Sequence, residues 1–191
     1  IYGLCRWRSP LDNIEHLLNK VNKENSRINF IYGDLTDYNS LIEAINKSKP
    51  NYVFHLAAQS YPKTSFTEAN LTLDTNIIGT YNILNAIRKS KFKPYVHVCS
   101  SSEIFGKVSK NKLPIDENCN FHPASPYAIS KVGADLIGRY FFEAFKVKVL
   151  VTRMFTHTGP RRGDVFAEST FAKQIALIES KKIKPVLKVG N

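Results

Sequence analysis

The segment SPYAISKVGADLIGRYFFEAF at residues 125–145 decides the fold class, because it has the pattern of one helix between two apolar strands. The run YVHVCS at 95–100 precedes it, and the run KVLVTRM at 148–154 follows it. Ser125 suits a helix N-cap and Pro126 suits the first helical position. A strand, a helix and a strand in this order predict a right-handed crossover that joins two parallel strands.

The same alternation of strands and helices extends toward both ends of the chain. The expected strands cover residues 1–5, 28–32, 52–56, 95–100 and 148–154. The expected helices cover residues 11–21, 38–47, 73–90, 127–145 and 166–180. This alternation predicts an α/β fold, a doubly wound Rossmann-like parallel sheet with helices on both faces, in one domain over residues 1–191. Ligands of such sheets bind beyond the carboxyl ends of the strands, so we expect the chemistry there.

Composition limits the class of protein. Of the 191 residues, 43% are hydrophobic and 23% are charged, as in an ordinary globular domain. The net charge of +11 favours anionic partners, but the lysines and arginines are too scattered for a tract that grips nucleic acid. There is no apolar run of about 18 residues that would predict a membrane span. Cys5, Cys99 and Cys119 predict neither a disulfide framework nor a metal site, so we expect a cytoplasmic protein without metal, membrane anchor or nucleic-acid partner.

Two polar segments follow one another at the expected site. Ser100–Gly106 comes at the end of a strand, and Ser125–Lys131 opens the next helix. Tyr127 and Lys131 are four residues apart and therefore lie on one helix face. A free tyrosine has a pKa of about 10, and a nearby cation favours the phenolate; lowering the pKa by three units would correspond to about 4 kcal/mol. Tyr127 is thus a candidate proton acceptor for a substrate hydroxyl, with a chance Tyr-x-x-x-Lys pattern as the alternative.

These two segments resemble the paired active-site motifs of the extended short-chain dehydrogenase/reductase family, which includes NAD-dependent epimerases and dehydratases of sugar nucleotides. The resemblance implies that Tyr127 is the catalytic base, that Lys131 binds the nicotinamide ribose and lowers the pKa of Tyr127, and that Ser101 hydrogen-bonds the reacting hydroxyl. Other cofactor segments of the family are matched in the same order by residues 33–37, 55–60 and 75–80. The further cofactor contacts implied in this way are Asp34, Leu35, Leu56, Ala57, Ala58, Gln59, Asn76 and Ser100, each of which alone would also fit simple packing.

Glu103 narrows the reaction that the resemblance implies. A 4,6-dehydratase needs a base that removes the C5 proton once C4 has been oxidised, and simple epimerases usually carry no acid at this place. Ser102 precedes Glu103, which resembles the GDP-mannose 4,6-dehydratases, whereas the dTDP-glucose and UDP-glucose enzymes have Asp there. A surface or helix-capping glutamate is the alternative. We therefore expect a lyase that converts GDP-mannose to its 4-keto-6-deoxy product.

The residues after the first expected strand indicate the cofactor. A dinucleotide fold that prefers NAD has an acid near the end of its second strand, and one that prefers NADP has Arg there. Arg6 and Arg8 follow the first strand with no acid before Asp12, and they resemble the Arg-Arg-x-Ser of GDP-mannose dehydratases. We expect NADP, with NAD left open. Exposed arginines without a phosphate partner are the alternative.

The segment after the last expected strand adds further contacts. Residues 152–163 resemble the Arg-x-Phe-Asn-His loop and the Pro-Arg-Arg-Gly of the GDP-mannose dehydratases. The resemblance implies that His157 lies at the nicotinamide, and that Arg161 and Arg162 lie near the nucleotide or a neighbouring subunit. Thr156 departs from the family's usual Asn.

Three short segments favour an alternative enzyme. HTGP at 157–160, FAKQI at 171–175 and KVGN at 188–191 resemble GDP-6-deoxy-4-keto-mannose reductases. Compared with the family, the first strand with its Gly-rich phosphate loop and the C-terminal sugar-nucleotide segment are missing, so we expect a sheet that is incomplete at both ends. An inactive fragment or a non-catalytic sugar-nucleotide-binding domain is the alternative outside the enzymes. The complete enzyme is expected to be a homo-oligomer, a dimer or a tetramer.

Overall fold

The chain forms two compact units, Ile1–Phe155 and Thr156–Asn191. The computed structural model describes residues 1–189, so that Gly190 and Asn191 of the reductase-like ending lie outside the described residues. The first unit contains the strands that the sequence predicts and most of the candidate site residues. The expectation of one domain over the whole chain stays a prediction.

Parallel strands form the centre of the first unit. They are β1 (Tyr2–Cys5), β2 (Asn29–Tyr32), β3 (Tyr52–His55), β4 (Tyr95–Cys99) and β5 (Lys148–Thr152). β1 pairs with β2, and β3, β4 and β5 follow one another in a second sheet, with every pair parallel. Each strand lies within a run that the sequence predicts. Parallel strands joined by helices confirm the doubly wound α/β class.

The helices of the first unit largely match the predicted ones. They are α1 (Glu15–Leu18), α2 (Tyr38–Ser48), α3 (Thr64–Thr67), α4 (Ala69–Leu73), α5 (Gly79–Lys89) and α6 (Pro126–Phe145). A wide π-helical turn at Asp74–Ile78 joins α4 to α5, and a 3-10 turn at Ser102–Phe105 follows β4. The short α3 was not predicted, nor was α4 before Leu73.

The predicted helix 11–21 is shorter than expected. It is reduced to a 3-10 turn at Asp12–Ile14 and the single turn of α1. Asn22 and Asn25 follow with left-handed backbone φ angles of 55° and 60°. Asparagine tolerates this conformation and favours turns over helix, so the local sequence ends the helix early.

The strands form two sheets rather than the single sheet that the sequence predicts, because β1 and β3 are not paired. In the doubly wound order 3-2-1-4-5-6, the first strand lies in the middle, between the second and the fourth. β1 and β3 correspond to the second and fourth strands of that order. The break therefore falls at the position of the central strand, and the packing of α2 against α5 connects the two sheets instead.

A hydrophobic core packs α6 against β4 and β5. The core residues are Leu35, Leu41, Ile45, Ile83, Leu84, Ala86, Ile87, Val96, Val98, Ala134, Phe141 and Val147. α6 approaches the sheet closely at Gly138, where a Cβ atom would lie 2.9 Å from a methyl carbon of Val151. Within this unit the other face of the second sheet is open, with Tyr52, Phe54 and Leu150 exposed.

The second unit contains α7 (Ala167–Glu179), at the position that the sequence predicts. Asp164 and Lys173 form an ion pair at 2.6 Å, and the Arg162 guanidinium lies 3.9 Å from the centre of the Phe166 ring. No residue of α7 is buried. Over residues 1–189, no helix is long and apolar enough to cross a membrane.

Candidate active site

Two capped helix starts carry the predicted catalytic residues. Ser125 is the N-cap of α6, where its Oγ accepts a hydrogen bond from the Ala128 N–H at 3.0 Å, and Pro126 occupies the first helical position. Ser101 caps the 3-10 turn after β4, and its Oγ accepts from the Glu103 N–H at 3.2 Å. Such caps pair N–H groups that a helix start leaves without partners. The predicted N-cap Ser125 and the predicted first helical position of Pro126 are both confirmed.

Tyr127 and Lys131 lie on the buried face of α6, with 8% and 7% of their surfaces exposed. Lys131 Nζ donates to the Cys99 carbonyl oxygen at 2.8 Å and lies 5.8 Å from the centre of the Tyr127 ring. The Ser100 hydroxyl donates to the Lys131 carbonyl oxygen at 3.1 Å. The Ser101 hydroxyl lies close enough to the Tyr127 phenol to lower its pKa. The structure therefore brings these predicted residues together at the carboxyl end of β4.

The electrostatics of Tyr127 differ from the sequence expectation. Burial raises the pKa of Tyr127, the hydrogen bond with Ser101 lowers it, and the charges of Cys99 and Glu103 raise it further. Burial also lowers the pKa of Lys131. The predicted lowering of the Tyr127 pKa by Lys131 is therefore not found. The free-energy cost of removing the phenolate from water is larger than the stabilisation that its polar neighbours provide. The Lys131 ammonium donates a hydrogen bond to the Cys99 carbonyl oxygen.

Glu103 lies at the rim of this cluster and is exposed. Its charge acts on the Tyr127 phenol, which places the two groups near each other. Gly106 closes the turn with a φ of 55°, and a Cβ atom there would collide with the His122 carbonyl oxygen. The His122 N–H donates to the Ile104 carbonyl oxygen at 2.8 Å. A short, tightly closed loop therefore holds Glu103 at the surface beside the buried tyrosine.

Asn76, in the π-helical turn, fixes the loop after β3. Its Oδ1 accepts from the Gln59 N–H at 2.8 Å, and its Nδ2 donates to the Gln59 carbonyl oxygen at 3.0 Å and to Ser130 Oγ at 2.8 Å. Both amide hydrogens are thus used inside the protein, and the side chain is buried. The predicted direct cofactor contact of Asn76 stays a prediction. Asn76 ties the loop to α6, in a type of turn that is frequent at functional sites.

The rest of the loop after β3 is accessible. Leu56 and Ala57 are exposed and Ala58 is half-buried. The Gln59 side chain turns back into the protein, where its Nε2 donates to the Thr72 hydroxyl at 3.2 Å. The surface of this loop is therefore small and apolar, which suits the close approach of a ligand.

The predicted adenine-side residues lie at the ends of β1 and β2. Asp34 Oδ1 accepts from the Thr36 N–H at 2.9 Å and from its hydroxyl at 2.7 Å. These hydrogen bonds lower the pKa of Asp34, and the nearby charge of Arg6 lowers it further. Arg6 and Arg8 are both exposed. Leu35 packs in the core, so a cofactor contact by this residue would be limited to its backbone.

His157, Arg161 and Arg162 belong to the second unit. Arg162 Nη1 donates to the His157 carbonyl oxygen at 2.7 Å, and Arg162 Nε lies 3.8 Å from the Glu168 carboxylate. Arg161 is exposed and has a left-handed φ of 69°. Arg162 thus links the His157 backbone to the Glu168 side chain within this unit. The roles predicted for these residues at the nicotinamide and the nucleotide stay predictions.

A buried carboxylate next to the predicted catalytic residues was not predicted from the sequence. Asp135 of α6 is fully buried, and its Oδ2 lies 2.8 Å from Nε of Arg153, just beyond β5. A signal for it was present: Tyr127, Lys131 and Asp135 are spaced by four residues and therefore share one helix face. The ion pair itself could not be predicted, because its partner lies in a later segment.

A buried histidine was also missed. His55 Nε2 lies 2.9 Å from Thr80 Oγ1, and the Thr80 hydroxyl donates to the Asn76 carbonyl oxygen at 2.6 Å. Burial lowers the pKa of His55 to about 4, with smaller contributions from the charges of Lys131 and His97. His55 therefore supports the turn around Asn76 in its neutral form. Over residues 1–189, no group of three or more His, Cys, Asp or Glu side chains could hold a metal ion.

The whole chain, residues 1–191, matches the sequence profile of the GDP-mannose 4,6 dehydratase family. The GDP-mannose 4,6 dehydratase of Drosophila melanogaster is 34% identical over 197 residues, which cover 100% of this chain and 49% of that protein. The GDP-mannose 4,6-dehydratase of Vibrio cholerae serotype O1 is 32% identical over 200 residues, which cover 100% of this chain and 52% of that protein. The chain thus spans about half the length of the curated relatives that it matches.

A similar fold is found in a solved structure of RMD from Pseudomonas aeruginosa complexed with NADPH. The TM-score is 0.78 and the identity 32%, over 85% of this chain and 56% of that chain. The fold and the grouping of Ser101, Glu103, Tyr127 and Lys131 agree with the match along the whole sequence. The chain therefore belongs to the GDP-mannose 4,6 dehydratase family, within the extended short-chain dehydrogenases/reductases.

Proposed function

We propose that the complete protein is a lyase that catalyses the NADP-dependent dehydration of GDP-mannose to GDP-4-keto-6-deoxymannose. The observation that carries the proposal is the buried cluster of Ser101, Tyr127 and Lys131 with Glu103 at its rim. A 4,6-dehydration needs two bases, one for a hydroxyl proton and one for a proton on carbon, and this cluster offers both. The curated relatives matched along the whole chain are named for this activity.

The residues at the carboxyl ends of the strands fit a nicotinamide dinucleotide. This edge is where doubly wound folds bind dinucleotides. Lys131 offers a buried cation, the small loop after β3 allows close approach, and the exposed Arg6 and Arg8 offer positive charge after β1. When bound, the dinucleotide would take up a hydride and later return it. RMD, one of the similar solved structures, was complexed with NADPH, which supports NADP over NAD.

Tyr127 is assigned to the oxidation of C4. Its phenolate accepts the proton of the C4 hydroxyl while the hydrogen on C4 leaves as hydride, which produces a ketone. Because burial raises the pKa of Tyr127, the phenolate is a strong base but is little populated at neutral pH. Ser101, whose hydrogen bond lowers that pKa, keeps the base usable and is placed to bind the same hydroxyl.

Glu103 is assigned to the elimination of water. The new ketone acidifies the C5 proton, which Glu103 accepts and passes to the C6 hydroxyl, so that this hydroxyl leaves as water. Hydride then returns to C6, and C5 takes up a proton from Tyr127 or from solvent. Glu103 is exposed, so the proton that it takes from C5 is lost to water or with the leaving hydroxyl. Because C5 is then protonated by Tyr127 or by solvent, the proposal includes solvent hydrogen at C5 of the product.

The test is incubation of the full-length protein with GDP-mannose and NADP in heavy water. The expected result is GDP-4-keto-6-deoxymannose that carries deuterium at C5, detected by mass spectrometry and NMR. A folded full-length protein that forms no keto product would contradict the dehydratase assignment.

A reductase that acts on the 4-keto-6-deoxy sugar is the second candidate. It is favoured by residues 157–160, which resemble such reductases. The NADPH in the RMD complex is the reduced form of the cofactor, which a reductase needs. Full-length protein is supplied with GDP-4-keto-6-deoxymannose and NADPH. Consumption of NADPH, with no reaction of GDP-mannose, would move the assignment to the reductase.

We also propose that the complete protein works in the cytoplasm as a homo-oligomer, a dimer or a tetramer, and that residues 1–191 are not sufficient for activity. Light scattering measures the mass in solution.

The non-catalytic alternative requires that full-length protein neither reacts with GDP-mannose nor binds NADP, which a fluorescence titration with NADPH checks.

A further inference from the structure

The guanidinium of Arg153 contacts both the helix that carries Tyr127 and the loop that carries Glu103. Arg153 follows β5, and its Nε and Nη2 donate to Oδ2 and Oδ1 of Asp135 at 2.8 and 3.4 Å. Asp135 is fully buried on α6, while the Arg153 side chain is 16% exposed. The hydrogen bonding is bidentate, so it fixes the orientation of the guanidinium plane as well as its position. The ion pair therefore holds the end of β5 rigidly to the helix that carries Tyr127.

The third nitrogen of the Arg153 guanidinium reaches the loop that carries Glu103. Arg153 Nη1 donates to the Glu117 carbonyl oxygen at 2.8 Å. The guanidinium carbon also lies 4.8 Å from the centre of the Phe121 ring and 5.8 Å from that of Phe105. Phe105 ends the same 3-10 turn in which Glu103 lies. One cation thus contacts both the beginning and the end of the loop between β4 and α6.

The energetics suggest that this arrangement serves geometry rather than stability. Desolvating two charges cancels much of their attraction, and well-packed apolar residues can replace a buried ion pair with little loss of stability. A bidentate pair with a third hydrogen bond does, however, define distances that apolar packing leaves looser. Tyr127 does not depend on it, because the start of α6 is held separately by the Ser100 and Lys131 hydrogen bonds.

We propose that Arg153 and Asp135 are positioning residues that set the distance between Glu103 and Tyr127. The inference rests on the proposed dehydration, and neither residue is assigned contact with substrate or cofactor. Loosening the Arg153 contacts moves the Glu103 loop relative to α6, while Tyr127 keeps its own support. The elimination step should therefore suffer more than the oxidation step, since misplacing a catalytic group by about 1 Å can cost on the order of 10²-fold in rate.

The experiment compares Arg153→Lys with Arg139→Lys in the full-length protein. Lysine at 153 keeps the charge but loses the bidentate geometry, and Arg139 is an exposed arginine of the same helix. The first step is followed in stopped flow by the transient reduction of bound NADP after GDP-mannose is added. The second step is followed by deuterium uptake at C5. We expect Arg153→Lys to slow C5 exchange by about 10–100-fold, with the first step changed by less than about threefold. Arg139→Lys should change neither.

The double variant Asp135→Leu/Arg153→Met keeps the test decisive if the lysine variant folds poorly. It removes both charges, so stability should be nearly retained, as thermal unfolding checks. Positioning requires the same selective loss of C5 exchange in this variant. Equal slowing of both steps, or no slowing in the folded variants, would overturn the positioning role alone. If unmodified protein shows neither step, the proposed function fails and the positioning role fails with it.

Discussion

The two bases of the candidate site are held in opposite ways. Tyr127 is buried on a helix of 20 residues, whereas Glu103 is exposed on a turn of 4 residues. A buried group is fixed by packing and has its pKa shifted by desolvation, while an exposed group on a short turn stays in contact with water. We infer that the oxidation step is built into the core, and that the elimination step depends on the geometry of one loop.

The largest expected effect comes from breaking the buried half. Tyr127→Phe removes the proton acceptor and keeps the ring, so we expect turnover to fall toward the upper end of the 10²–10⁴-fold range that is typical for a positioned base. Bound NADP should not be reduced when GDP-mannose is added, as stopped-flow absorbance would record.

Tyr140→Phe is the matched control for this variant, because Tyr140 lies on the same helix and is exposed. It should reduce NADP at the normal rate. Normal reduction of NADP by Tyr127→Phe itself would remove this tyrosine from the oxidation step.

The next largest effect comes from the exposed half. Glu103→Gln keeps the shape of the side chain but cannot accept the C5 proton comparably, so we expect turnover to fall by about 10²–10³-fold. Affinity for GDP-mannose should hardly change, since a base acts on the transition state of elimination rather than on ground-state binding. In contrast to Tyr127→Phe, this variant should still reduce bound NADP, yet exchange no hydrogen at C5.

Glu143→Gln, on the exposed surface of α6, serves as the control for loss of one carboxylate. It should leave both steps intact. Full dehydration and full C5 exchange by Glu103→Gln would make Glu103 structural and would remove the main ground for preferring a dehydratase.

A third prediction concerns the buried His55 and the pH dependence of the protein's stability. The pKa of His55 is lowered from 6.5 to about 4 in the folded protein, so the folded state resists a proton that the unfolded state accepts. The stability from neutral His55 is therefore present above pH 6.5 and lost as pH falls through the window from 6.5 to about 4. Two to three pKa units correspond to roughly 3 kcal/mol.

Urea unfolding at several pH values measures this loss in the full-length protein. His55→Gln keeps an N–H donor for Thr80 but does not titrate, so its unfolding free energy should decline less steeply between pH 6.5 and 4. His16→Gln, on the exposed α1, is the control and should decline as steeply as the unmodified protein. Identical slopes for all three proteins would show that His55 does not cause the acid sensitivity.

The sequence predicted the buried half of the site better than its electrostatics. Ser125, Pro126 and the spacing of Tyr127 and Lys131 are local features, and local capping and helix periodicity follow directly from residue order. The sign of the Tyr127 pKa shift could not be predicted in this way. It depends on how much water the packed sheet and helix remove from the phenol, which only the tertiary structure determines.

Contacts between distant segments could not be predicted for the same reason. The hydrogen bonds of Asn76 go to Gln59 and Ser130, which are distant in sequence, and its cofactor contact stays a prediction. The Arg153–Asp135 pair joins segments 18 residues apart, and nothing local identifies either residue as the other's partner. Strand positions were predicted because apolar runs are local, whereas the division into two sheets depends on which strands become neighbours.

The smallest expected effect lies outside both halves and tests whether cofactor choice is separate from chemistry. Arg6 is exposed after β1, and its charge already acts on Asp34. Arg6→Asp removes a partner for the ribose phosphate of NADP and adds an anion beside Asp34. One charge-assisted hydrogen bond is worth roughly 1.5–3 kcal/mol, so NADP affinity should fall by about 10–100-fold and NAD affinity much less.

Titration of full-length protein with both cofactors measures this, and Lys47→Asp, an exposed charge reversal at the end of α2, should leave both affinities unchanged. Equal affinity of the unmodified protein for NAD and NADP would contradict the role of Arg6, whereas a selective loss of NADP with normal C5 exchange at saturating cofactor would separate cofactor choice from both bases.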